Sequence, residues 1–511
     1  MTSEINPERN LTSNRLSMLF FWLFLGLLYT VNMVQEPLFS SNQNTKYLHG
    51  AAAAGYRFLQ DDWQSLTADP LPLFSMVVEW LYRLNAVWLS YILFSLLVSV
   101  FLYTLVKIAV IHFPLNRTRT GTALLLALLF IEYKNVQTGV ASQYLLGNYL
   151  QPCVFGVFLL LSLVRYLKED QLTAAALLAV SAAFHPAYLP MAVLMQTSYT
   201  GIEIIERKKR TPAVLLAPGL FAILSLPLLV RHMLIFAPSS PELEAASINI
   251  LSNIRIPHHT LVQAWFTSED ATGIALYAGA LLTVRKSPLF RVMALLFSVA
   301  VLSIIVLFFV KNAELAFLTP WRTSVVLAPL SWTLLGAWLI GRAVPFLESH
   351  HKADRVIQVL SILVILISTV IHIPQQKNIL DVYRHGREMQ LMNFVKTRAG
   401  TEDLYLVPPR NGDFEKFRLE TGVPMLVNWK THPYKDREVV EWYERIRMAD
   451  DFYGPGTGQE KIDRLKKLAA RYRITHVVTD TGMNVTDASW LKEIYRDGVY
   501  KVLELSQTNR P

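Results

Sequence analysis

Phe290-Arg-Val-Met-Ala-Leu-Leu-Phe-Ser-Val-Ala-Val-Leu-Ser-Ile-Ile-Val-Leu-Phe-Phe-Val310 carries a single charge, at its second position, and is long enough as a helix to cross the hydrocarbon core of a bilayer. Comparable apolar stretches, full length or nearly so, lie at about 17–34, 87–110, 121–136, 150–167, 171–187, 188–205, 212–230, 272–284, 323–341 and 356–373. The sequence therefore predicts about eleven membrane spans. Across 511 residues, 52% are apolar and only 17% charged, well below the roughly one quarter usual for a soluble chain. Cys153 is the one cysteine, so neither a disulfide framework nor a multi-cysteine zinc site is available.

The first apolar stretch follows a polar tail with Arg9 and Arg15 and lacks a small-residue cleavage site, which reads as a retained signal anchor. With the N-terminus cytoplasmic, the cytoplasmic turns hold Lys107, Arg117, Arg119, Arg165, Lys168, the run 207–210, Arg285, Lys286, Arg291, Arg342, Lys352 and Arg355. The opposite loops before the tail hold only Lys46, Arg57, Arg83, Lys134, Arg231, Arg255, Lys311 and Arg322, although two of these loops are far longer. This bias predicts a cytoplasmic N-terminus and an extracytoplasmic C-terminal region. It also assigns the net charge of +9 to topology and anionic headgroups, not to nucleic acid.

Three regions interrupt the membrane pattern, at 35–86, 231–271 and 377–511. The expected organisation is a transmembrane part over 1–376, with a catalytic outer loop at 35–86, and an outer domain over 377–511. In the first region, Leu71–Leu84 is apolar on most faces but carries Glu79 and Arg83, which predicts an interfacial helix. In the tail, Asp403–Pro408 and Ile474–Asp480 have the β-branched runs of buried strands, and Arg437–Met448 and Gln459–Tyr472 have helical periodicity. Tyr495–Glu504 reads as a hairpin around Asp497-Gly498, giving a small α/β domain.

The sharpest chemical feature is the pair Asp61-Asp62 in Tyr56-Arg-Phe-Leu-Gln-Asp-Asp-Trp-Gln-Ser-Leu-Thr-Ala-Asp-Pro70. A carboxylate at the membrane surface can deprotonate an acceptor hydroxyl or amide, and Trp63 could supply a desolvating wall that raises the basicity of Asp62. Equally, either acid could cap a short helix from Trp63 to Leu66. Cations gather near outer span ends: Arg231 with His232, Arg255 with His258 and His259, and Arg322 after Trp321. A guanidinium can grip a phosphate with two parallel hydrogen bonds, so these groups point to an anionic ligand. Adjacent histidines point in different directions and have no carboxylate companion here, so no metal ligands are assigned, although a divalent metal stays possible as cofactor. His185 before Pro186, Tyr144 and Arg57 are expected to line the cavity, and the tyrosines at 144 and 149 also fit an aromatic belt.

A retained first span, a long acidic first outer loop with an interfacial helix, about eleven spans and an outward α/β tail together resemble the GT-C superfamily of integral-membrane glycosyltransferases. The ending Arg471-Tyr-Arg-Ile-Thr-His-Val-Val-Thr479, followed by Tyr495-Arg-Asp-Gly-Val-Tyr-Lys-Val-Leu503, is similar to the tail of many bacterial members. The resemblance implies a bacterial inner-membrane enzyme with its base at Asp62 or Asp61. It also implies a polyprenyl-phosphate sugar donor held by outer-loop cations such as Arg255 and Arg322, with Arg231 and His258 as further candidates. The tail lacks the W-W-D signature of oligosaccharyltransferases and has Trp429-Lys-Thr-His-Pro433 and Glu441-Trp-Tyr443 instead, which favours a glycan or lipid acceptor over a peptide. Two other classes compete: a transporter, flippase or polymerase for envelope polysaccharide, and a non-catalytic assembly scaffold. Transporters tend to show inverted repeats and polar groups at the bilayer midplane, whereas the ionisable residues here collect at span ends.

Overall fold

A computed structural model describes residues 7–310, 312–485 and 489–506. Lys311 and the side chains of Arg9, Arg15 and Arg119, which entered the charge argument, lie outside the described residues. Among the described residues, five helical stretches are long and apolar enough to cross a membrane: Leu89–His112, Pro212–Ile235, Pro288–Phe309, Ala313–Ser349 and His351–Arg384. Shorter apolar helices cover Leu16–Asn32, Thr120–Ile131, Pro152–Leu167 and Gln171–Phe184. The protein is a polytopic α-helical membrane protein; five stretches reach the length and composition of a full span, where the sequence suggests about eleven of full length or nearly so, and Leu16–Asn32 continues a helix that begins at Pro7. Some of the apolar runs are broken within themselves. The run at 150–167 opens with a 3-10 turn, Pro152–Gly156, before its helix begins, and the run at 188–205 ends in a π-helical turn, Ile202–Glu206.

The chain divides into two compact units. The first comprises residues 1–35, 90–227 and 257–377. Its helices pack through close backbone approach and a few internal hydrogen bonds. A Cβ on Gly139 would meet Ser324, and Ser324 Oγ accepts from Val140 N at 3.1 Å. Asn32 Nδ2 donates to the Phe130 carbonyl at 2.9 Å, and Ser368 Oγ donates to Asn32 Oδ1 at 2.6 Å, so a buried amide joins three helical segments. Large apolar side chains along Val356, Leu360, Leu363, Ile367 and Val370 remain exposed, as lipid-facing positions do.

The second unit gathers residues 36–89, 228–256 and 378–511. The 36–89 segment thus packs with the tail and not as an appendage of the membrane helices. Its sheet has four strands, β1 (Tyr405–Leu406), β2 (His476–Asp480), β3 (Leu491–Arg496) and β4 (Tyr500–Leu505), in the order β1-β2-β4-β3. β1 and β2 run parallel, and the intervening chain forms the helices Asp436–Tyr453 and Gly458–Tyr472. β3 and β4 form the antiparallel hairpin expected around Asp497-Gly498, where Asp497 Oδ1 accepts from the amides of Val499 and Tyr500. The core under the sheet includes Leu391, Val395, Tyr405, Phe417, Met425, Val478 and Val502, and Phe58 from the first segment packs against it.

In the 36–89 segment, the helix Pro72–Arg83 buries Phe74, Val78, Leu81 and Tyr82. Met76, Trp80 and Leu84 recur every four residues on its other face and are exposed, and Trp88 continues the stripe to the start of the span at Leu89. Glu79 and Arg83 pair at 2.7 Å.

Candidate functional site

Asp62 ends the 3-10 turn Leu59–Asp61 and caps the next, Trp63–Leu66, by accepting from Gln64 N at 2.8 Å. Its second oxygen accepts from Arg418 Nε at 2.7 Å and from Met425 N at 3.0 Å, while Arg418 Nη2 donates to the Met425 carbonyl at 3.0 Å. The carboxylate is 0% exposed and the guanidinium 3%. The indole of Trp63 faces the Arg445 guanidinium at 4.0 Å. Asp62 is therefore an anchor between two segments, closed to solvent. Asp61 is exposed. Arg57 adopts a left-handed backbone, φ 53°, and lays its aliphatic chain against Gly422, itself at φ 70°, where a Cβ would collide with it.

A second group of charges in the same unit is only partly covered. Arg255 Nη2 donates to the Lys430 carbonyl at 3.0 Å, and its guanidinium lies 5.4 Å from the Trp429 ring centroid. Arg410 stacks on the same indole at 3.8 Å. Lys430 Nζ donates to Ser41 Oγ at 3.2 Å, and Lys46 Nζ to the Tyr434 hydroxyl at 3.2 Å. Two half-buried carboxylates, Glu36 and Glu415, sit in this field. Burial raises the pKa of both, and Lys430 opposes that rise. Lys430 is pushed down by burial, with Glu415 pulling it back, and burial likewise lowers Arg255. His432 is held well below the ordinary imidazole range, first by burial and then by Arg255 and Lys46. The Nε of Arg255 is buried without a hydrogen-bond partner among the described residues. Beside this group, Lys46, His49, Thr67, His432 and Tyr434 help close a cavity of about 10 Å³, room for roughly one water.

Residues 387–449 match the model of a domain of unknown function, DUF6798. The match includes Arg410, Glu415, Arg418, Trp429, Lys430 and His432, and so takes in the partner of Asp62 and the tail's share of the cationic group. No curated protein matches the chain.

The remaining candidates lie elsewhere. Arg322, in the first unit, follows Thr319, whose φ is 45°, and Pro320. Its Nε and Nη2 both donate to Gln143 Oε1, at 3.2 and 2.8 Å, and Gln143 Nε2 meets His259 Nδ1 at 2.8 Å. Gln143 follows two further left-handed residues, Ala141 and Ser142, an arrangement that concentrates backbone strain on both sides of the Arg322 contact. The His258 and His259 rings lie 4.1 Å apart, and His258 is exposed. Tyr144 receives a hydrogen bond from Gln151 Nε2 at 3.3 Å, and His185 stacks on Tyr188 at 4.7 Å. Arg231 is half-buried on the helix Pro212–Ile235. Arg255 belongs to the second unit and Arg322 to the first. Among the described residues no three His, Cys, Asp or Glu side chains are placed to hold a metal ion.

Glu36, Glu415, Arg410 and Lys430 did not emerge from the sequence. Glu36 had a usable signal, as a carboxylate directly after the first apolar run and before Pro37. Lys430 acquires its meaning through Ser41 and Arg255, more than a hundred residues upstream, whereas Arg410 meets Trp429 and Asp450 within a few tens of residues.

Proposed function

We propose that the protein is an integral-membrane glycosyltransferase of the GT-C type, acting on the outer face of a bacterial inner membrane with a polyprenyl-phosphate-linked sugar as donor. The observation that carries this reading is the group of three cations, Lys46, Arg255 and Lys430, set against two carboxylates, Glu36 and Glu415. The surplus positive charge and the unpaired Arg255 Nε suit a phosphate, which would accept charge-assisted hydrogen bonds from both kinds of side chain.

In this reading the base is Glu36, which keeps the catalytic acid in the 35–86 segment but moves it from Asp62. Desolvation makes Glu36 a stronger base than a solvated loop carboxylate. Glu36 takes the proton of the acceptor hydroxyl as that oxygen bonds to the anomeric carbon. The bond from that carbon to the phosphate oxygen breaks, and the leaving phosphate keeps the electron pair beside Arg255 and Lys430.

Purified full-length protein in lipid nanodiscs tests both assignments. Arg255→Lys and Lys430→Met should each weaken binding of a polyprenyl-phosphate analogue about ten- to a hundredfold, the loss of one charge-assisted contact worth roughly 1.5–3 kcal/mol. Glu36→Gln should retain that affinity and lower turnover about 10²–10⁴-fold. Unchanged affinity in both cation variants would end the reading.

A further inference from the structure

The tail carries an open cleft of about 410 Å³ that the donor site does not use. It is lined by Arg410, Tyr443, Arg447, Asp450, Asp451 and Arg464, together with Gly454 and Pro455. This volume lies within the range of small-ligand sites. Arg410 belongs to both places: it lines the cleft and stacks on Trp429, whose ring also faces Arg255. One indole and one guanidinium thus separate the cleft from the cationic group.

We propose that this cleft binds an acidic saccharide, and, resting on the transferase reading above, that this saccharide is the acceptor. Two planar pairs are already fixed. Arg410 Nε bonds Asp450 Oδ2 at 2.9 Å. Arg464 Nη1 donates to the carbonyls of Asp451 and Pro455 at 2.8 and 2.9 Å, with Nε 3.5 Å from Asp451 Oδ2. These contacts hold the side chains in place while leaving carboxylate lone pairs and guanidinium hydrogens for the paired hydroxyls of a pyranose. Their charges nearly balance, so they select hydroxyls and not net charge.

Arg447 is different. It is 68% exposed, and its only ion pair among the described residues is a loose one, 3.7 Å to Glu444. The lining holds three arginines and two aspartates, which leaves one positive charge at the rim for a sugar carboxylate. Tyr443 adds an aromatic edge and a hydroxyl.

Full-length protein in nanodiscs, titrated with fluorescent tetragalacturonate and with neutral maltotetraose, tests the proposal. The acidic probe should bind saturably and at least about tenfold tighter than the neutral one. Arg447→Ala should erase that preference, and Tyr443→Phe should weaken both probes. Both side chains lie at the rim, and a polyprenyl-phosphate analogue bound equally by wild type and Arg447→Ala shows that the donor site is intact. Absence of saturable binding of the acidic probe, equal binding of the two probes, or an unaltered preference in Arg447→Ala overturns the acidic-saccharide assignment. Saccharide binding without any binding of the phosphate analogue would keep the cleft and remove only its role as acceptor site.

Discussion

Asp62 and Arg418 form a fully buried ion pair, 2.7 Å between carboxylate oxygen and Nε, across 356 positions of sequence. Such a pair is costly to break from one side, because the surviving charge is left uncompensated in a dry site. Asp62→Asn and Arg418→Met should each destabilise the second unit by about 3–5 kcal/mol, and the double variant by less than the sum. Denaturant unfolding of the purified protein measures this. If Asp62→Asn leaves unfolding unchanged yet abolishes turnover, Asp62 is the base and Glu36 is not.

Arg322 and Gln143 should behave as a coupled pair in the first unit. Gln143→Leu removes the one oxygen that accepts from both Nε and Nη2, and should cost about 1–3 kcal/mol of stability. Arg322→Lys cannot reproduce the two-pronged contact and should cost a similar amount. A double-mutant cycle with no interaction energy would show that the contact contributes nothing.

His432 predicts a dependence on pH. Its folded pKa lies well below the ordinary value of 6.5, so the folded protein binds fewer protons than the unfolded chain. The stabilisation is present above the unfolded value and is lost as pH falls through it towards the folded value. His49, lowered by burial, adds to the effect with the same sign. Thermal unfolding between about pH 7 and pH 5 should show a falling midpoint in wild type and a flatter profile in His432→Gln. Equal slopes would mean that His432 is already charged in the fold.

The stripe Met76, Trp80, Leu84 and Trp88 should rest in the interfacial layer of the bilayer. A spin label at residue 80, in a Cys153→Ser background reconstituted into vesicles, should collide more with oxygen than with a water-soluble nickel chelate. The reverse order would put the stripe in water.

The parts of this fold that could be read from sequence are those whose cause is local. A long apolar run must satisfy its own backbone in lipid, so Pro288–Phe309, with Arg291 its one charge, was visible from composition alone. Asp497-Gly498 carries its own turn chemistry, so the β3–β4 hairpin was visible too. Hydropathy could not tell one continuous helix from a 3-10 turn followed by a short one, as at Pro152–Leu167. At the candidate site the limit was distance along the chain. Asp62 looked like a surface acid because nothing near it announces Arg418, and Lys430 was not singled out as a site residue because Arg255 and Ser41 lie far upstream.

The Asp62–Arg418 pair also fixes an order of events during synthesis. The 36–89 segment leaves the ribosome long before Arg418 exists, and at about 5–20 residues per second the delay is roughly 20–70 s. Throughout that time Asp62 remains hydrated and Phe58 lacks the core it will join. A chain interrupted anywhere before residue 418 therefore presents its first extramembrane segment unfinished, with the Asp62 carboxylate unpaired.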